Sequence, residues 1–177
     1  MKTRTQLGLV AALAAALCAF TVDAQAGGRV HARGAVANAN GGVTGGAVNA
    51  ARGPNGGTAA RARGYTTDGA GNAKAASGGA FQGPNGATGA RASTTTRNAD
   101  GSLSHEGGFA ASGAKGTVES TGSVNKGADG SASGSRNTTA TGANGNTYNG
   151  QTTYSKETGV QHSATCTDAS GNTIACR

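Results

Sequence analysis

The chain has 177 residues, 33 of them Gly, with aromatics at 3%, no Trp and a formal net charge of +7. Most of its 35% hydrophobic content is Ala. After residue 26 only eleven Val, Ile, Leu, Phe or Met remain (Val30, Val36, Val43, Val48, Phe81, Leu103, Phe109, Val118, Val124, Val160 and Ile174), far below what a conventional globular enzyme core requires.

Residues 1–26 read as a signal peptide. Lys2 and Arg4 precede an apolar run from Leu7 to Phe20, and Ala24-Gln25-Ala26 presents small residues to a signal peptidase. Cleavage after Ala26 removes Cys18 and leaves Gly27 as the new terminus. The apolar run is short of the ~20 residues that cross a bilayer, and no membrane span is expected after cleavage. The mature chain is therefore expected outside the cytoplasm, extracellular or on the cell surface, with the periplasm as the other destination.

Residues 27–50 are rich in Gly, Ala and Asn and read as a flexible N-terminal segment. From 51 to 163 the sequence is a repeat. Residue-plus-Gly pairs end at Gly41, Gly56, Gly71, Gly86, Gly101 and Gly116, fifteen apart, and continue with slight drift at Gly130, Gly145, Gly159 and Gly171. Asn or Asp precedes the Gly in six of the ten pairs, which suits a type I′ hairpin turn. A thirty-residue period lies over this beat. Gly53-Pro54-Asn55-Gly56 returns as Gly83-Pro84-Asn85-Gly86, and 52–71 matches 82–101 at ten of twenty positions.

Between turns lie segments of Thr, Ser and Ala. Ala60-Arg61-Ala62-Arg63 puts both arginines on one strand face, and Val118 and Val124 share a face at period two. Extra glycines fall midway, at Gly64, Gly79, Gly108 and Gly122, so each unit is expected to hold two strands of about five residues. No apolar stripe recurs at helical spacing. The fold class is all-β, with short antiparallel strands joined by Asn/Asp-Gly turns. A β-meander, a thin β-solenoid and a disordered chain with β tendency all fit.

Cys166 and Cys176 are an even pair in an exported chain, which argues for a disulfide. Segment 164–177 then reads as a disulfide-closed hairpin, with Ser170-Gly171-Asn172 turning the two cysteines opposite each other on adjacent strands.

Charge is uneven. Residues 27–98 carry eight basic residues against Asp68, a net +7, whereas 99–177 carry five basic and six acidic, a net −1. Arg52, Arg61, Arg63, Arg91 and Arg97 are the candidate contacts for an anionic polymer, because Arg grips phosphate, sulfate and carboxylate bidentately. Lipopolysaccharide, acidic polysaccharide and extracellular DNA are the candidate partners. Only Tyr65 and Phe81 lie in this half, so base-specific reading is not expected. The competing reading is that these arginines only keep the chain soluble.

His31, His105 and His162 form no catalytic or metal motif, and neither a GxSxG elbow nor a phosphate-binding loop occurs. Asp68-Gly69-Ala70-Gly71-Asn72 is an isolated approximation to a calcium-binding repeat. No enzyme activity, cofactor or metal is expected. The Thr-x-Thr pairs Thr94/Thr96, Thr139/Thr141 and Thr165/Thr167 fall at different offsets from their turns, so no single ice-binding ladder is expected.

A signal peptide followed by short strand-turn-strand repeats with Gly and Asn is similar in organisation to curlin-type amyloid subunits. Gln82, Gln151 and Gln161 are the mature chain's glutamines, and Arg is ample, which departs from that pattern. The reading is an exported, non-enzymatic, self-associating structural protein: a fibre or matrix subunit, or a surface adhesin. The alternative is a monomeric exported binder of anionic polymers through the Arg-rich half.

Overall fold

A computed structural model describes residues 27–176; the signal-peptide reading of 1–26 lies outside the described residues. Eleven antiparallel strands follow one another in a single open sheet, each paired with its sequence neighbours. They are β1 (Gly28–Ala37), β2 (Val43–Arg52), β3 (Thr58–Thr67), β4 (Ala73–Gln82), β5 (Thr88–Arg97), β6 (Leu103–Gly113), β7 (Gly116–Lys126), β8 (Ala132–Gly142), β9 (Thr147–Ser155), β10 (Gly159–Thr167) and β11 (Thr173–Ile174). Of the readings left open, this is the meander. Residues 27–50 form β1 and most of β2 and continue the sheet without a break.

Each repeat unit holds one strand of nine to eleven residues, not two of five. Gly64, Gly79, Gly108 and Gly122 sit inside β3, β4, β6 and β7. A bare glycine without a turn-forming neighbour extends as readily as it bends, and a full-length partner strand holds it extended. The thirty-residue period is then one up strand plus one down strand, which returns the chain to the same end of the sheet.

The turns differ from type I′. In Gly53-Pro54-Asn55-Gly56 the Gly56 amide donates to the Gly53 carbonyl at 3.1 Å, and the Gly53 amide to Gly57 at 2.7 Å. Pro54 presets the first central position of a type I turn, and Gly56 follows with φ +81°. This three-residue loop needs one left-handed residue, not two. Every expected turn glycine (Gly41, Gly56, Gly71, Gly86, Gly101, Gly116, Gly130 and Gly145) has positive φ, while no other residue type among the described residues does.

Turn aspartates act as local caps. Asp68 Oδ1 accepts from the Ala70 and Asn72 amides at 2.8 and 3.0 Å, and its other oxygen from the Asn72 side chain. The loop that approximated a calcium repeat therefore spends this carboxylate on its own backbone. Asp168 repeats the arrangement with Ser170 and Asn172. Hydrogen bonds to the charged form, first from the Asn72 and Asn172 side chains, hold both carboxyls below the ordinary value.

The disulfide joins Cys166 to Cys176 with a Cα–Cα distance of 5.3 Å. The cysteines are not opposite one another: Cys166 pairs with Ile174, and Cys176 lies two residues beyond the end of β11. The three-residue turn sets that register, so the bridge runs diagonally and ties down the tail.

The sheet has almost no interior. Among the described residues only Gly42, Gly45, Ala47, Ala62, Ser120 and Cys166 are buried. Cross-strand partners share a face, and successive residues alternate. Pairing preserves odd and even from β1 to β6 and from β7 to β11, but Gly113↔Gly116 closes a two-residue loop and exchanges them. One face therefore carries odd residues of β1–β6 and even residues of β7–β11; the other carries the rest.

Two outcomes test this account. Gly56 has open space around it, so Gly56→Ala is expected to cost about 1 kcal/mol from backbone conformation alone, and Gly56→Asn less, both read by urea unfolding; an unchanged Gly56→Ala midpoint contradicts the turn. The lowered carboxyls of Asp68 and Asp168 contribute stability that is complete above their unfolded-state values and lost as pH falls through the folded ones. The thermal midpoint should therefore drop between about pH 5 and about pH 2, and drop less in the Asp68→Asn, Asp168→Asn double variant. Equal drops in both proteins count against the caps.

Candidate functional site

The two faces differ in chemistry. The first carries Arg29, Arg33, Arg61, Arg63, Arg91, Arg97, Lys126 and Arg136, and not one of its strand residues is acidic. It also carries all five aromatics of the described residues, Tyr65, Phe81, Phe109, Tyr148 and Tyr154, and all three histidines. The strand acids Glu106 and Glu119 point to the opposite face with Arg52 and Lys74. The turns hold Asp68, Asp100, Asp129, Glu157 and Asp168. We call these the basic face and the neutral face.

Of the five candidate arginines, Arg61, Arg63, Arg91 and Arg97 share the basic face and Arg52 does not. Arg52 pairs with Gly28 and Thr58, and alternation turns it to the neutral side. Arg29, Arg33, Lys126 and Arg136 complete the basic face. The uneven charge of the two halves of the sequence is thus chiefly a difference between two faces, because β7 and β8 contribute cations to the same side.

The central row of the basic face crosses the sheet as Arg33, Ala47, Arg63, Ser77, Ser93, Gly107, Gly122, Arg136, Thr152 and His162. Beside it run His31, Asn49, Arg61, Gly79, Arg91 and Phe109. Small residues separate the long ones, so the cations stand apart over a low floor.

The aromatics use that floor. Gly45 and Gly89 are the direct partners of Tyr65 and Phe81. A methyl added to Gly45, Gly89 or Gly150 would strike the rings of Tyr65, Phe81 and Tyr148. Each ring lies over a glycine, which removes backbone from water and fixes the ring. Tyr65 and Phe81 nevertheless stay 47% and 49% exposed, leaving an outer surface free to stack.

Arg136 is positioned most tightly. Its Nε donates to Ser120 Oγ at 2.9 Å, and its guanidinium lies 5.7 Å from the centre of the Phe109 ring. Ser120 is 2% exposed, and its hydroxyl donates to the Asn137 carbonyl at 3.0 Å. Each histidine has a cross-strand partner: His31 with Asn49 at 2.6 Å, His105 with Thr95 at 2.8 Å, and His162 with Thr152 at 2.9 Å.

The neutral face is finer grained. Thr117, Thr141, Thr147, Thr167 and Thr173 form one row over β7–β11. Thr141 and Thr167, expected to fall out of line, are joined through Thr147; Thr94 and Thr96 lie apart on β5. Unequal strand and loop lengths bring different turn offsets to one level.

No family model, curated protein or solved structure matches this chain.

Proposed function

We propose that this chain is an exported, non-enzymatic adhesive protein that holds an acidic polysaccharide on its basic face. One observation carries the reading: eight cations and five aromatic rings share one face of the sheet with no strand acid among them. Guanidinium groups pair with carboxylate or sulfate bidentately, and the exposed rings offer platforms to the apolar faces of sugars. An open eleven-stranded sheet suits a long polymer that is gripped at many weak points. The disulfide accords with an oxidising, exported setting.

The second reading, a fibre or matrix subunit, is favoured by the sheet edges. Among the described residues β1 has no outer partner, and β11 covers only Cys166 and Thr167 of β10. Such edges template further strand pairing, and head-to-tail contacts of this kind extend into filaments where the rotation does not close a ring.

The test is retention on immobilised heparin and on an alginate matrix. The Arg61→Glu, Arg63→Glu double variant is expected to bind about tenfold more weakly or worse, while Arg52→Glu stays within about twofold. Wild-type affinity should fall steeply with salt. Equal loss from the two variants, or binding indifferent to salt, refutes the assignment of the face. Preference for single-stranded DNA over the acidic glycans transfers the reading to nucleic acid. Filaments in negative stain, without polymer binding, favour the fibre.

A further inference from the structure

The neutral face has a geography of its own. Its second row runs Val30, Ala50, Ala60, Ala80, Ala90 and Ala110 over β1–β6. The next, from Ala32 to Gly108, holds only Ala, Gly and Val, and a third holds Gly34, Gly46, Gly64 and Ala76 before Thr94. Together they make an uninterrupted apolar band of small side chains. Arg52, Lys74, Glu106 and Glu119, this face's four charged strand residues, border it: Glu106 follows Thr94 at the end of the third row, and Glu119 follows Ala110 in the second.

We infer that a second copy of this chain lies face to face on this band, with the two basic faces turned outward. Charge selects the face. The basic face has eight cations and no strand acid, so two such faces repel, whereas the neutral face carries two charges of each sign around an uncharged centre. Side-chain size permits the contact, because Ala and Gly let two sheets approach within the ~10 Å of ordinary sheet packing. Area is sufficient. Two rows over six strands and a third over four, at ~4.8 Å between strands and ~6.8 Å between rows, give about 520 Å² per copy, or about 1,000 Å² in all, the size a specific interface must clear. The need is physical too: six scattered small buried residues do not make a core, and a sheet wet on both faces has little to hold it beyond its ladder. The inference uses the face opposite the polymer site and stands apart from that reading.

Sedimentation of the mature, disulfide-intact chain tests it. At ~100 µM, above the Kd expected of a marginal interface, the wild type should run as a dimer. Ala92→Glu, a charge at the centre of the band, should weaken dimerisation about 100-fold, and Ser93→Glu, the next residue on the basic face, about threefold or less. Isotope-filtered NOEs on mixed labelled and unlabelled wild type need no variant to fold: they should place intermolecular contacts at the methyls of Ala60, Ala80 and Ala90. A folded wild-type monomer, NOEs from Tyr65 or Phe81 instead, or filaments without a dimer overturn the inference.

Discussion

Cross-strand register is the constraint on which everything else in this molecule depends. With almost no interior to bury, the ladder of backbone hydrogen bonds supplies the cohesion, and turn lengths decide which residues it places together. The recurrent three-residue loop ends in a left-handed glycine and keeps odd residues opposite odd. The two-residue loop at Ala114-Lys115 reverses the rule once. The side chains follow that reversal: the rings and every strand arginine except Arg52 occupy odd positions up to Phe109 and even ones from Arg136 to Tyr154. Backbone geometry and side-chain chemistry change phase at the same loop.

That coincidence gives two surfaces from one layer. Conventional sheets oppose a wet face to a dry one. Here one face concentrates cations and rings over glycines, and the other holds an apolar band of Ala, Gly and Val beside a Thr-, Ser- and Asn-rich field. Glycine serves both. It bends the chain where φ is positive, and within strands it makes room under Tyr65, Phe81 and Tyr148. The composition that excludes a globular core is the composition that a thin, two-faced sheet requires.

The turn positions were legible in the sequence, because Pro54, Asn55 and Gly56 each prefer their place in a type I turn. Strand length was not: Gly64 and Gly79 look like punctuation in one dimension, and only pairing with a full neighbour shows them extended. The alternation of Arg61 and Arg63 against Ala60 and Ala62 was visible locally. What could not be read was that Arg136, seventy-three residues beyond Arg63, shares their face and row, because that needs the register of five successive turns. Arg52 was grouped with the others by proximity in sequence, although one residue of phase separates the faces.

The most direct measurement is the set of cross-strand NOEs between β6 and β7. The account predicts contacts that pair Phe109 with Ser120 and His105 with Val124, the register of a two-residue loop. Phe109 paired with Thr121 instead would send Arg136 and Phe109 to opposite sides and dissolve the separation into two faces.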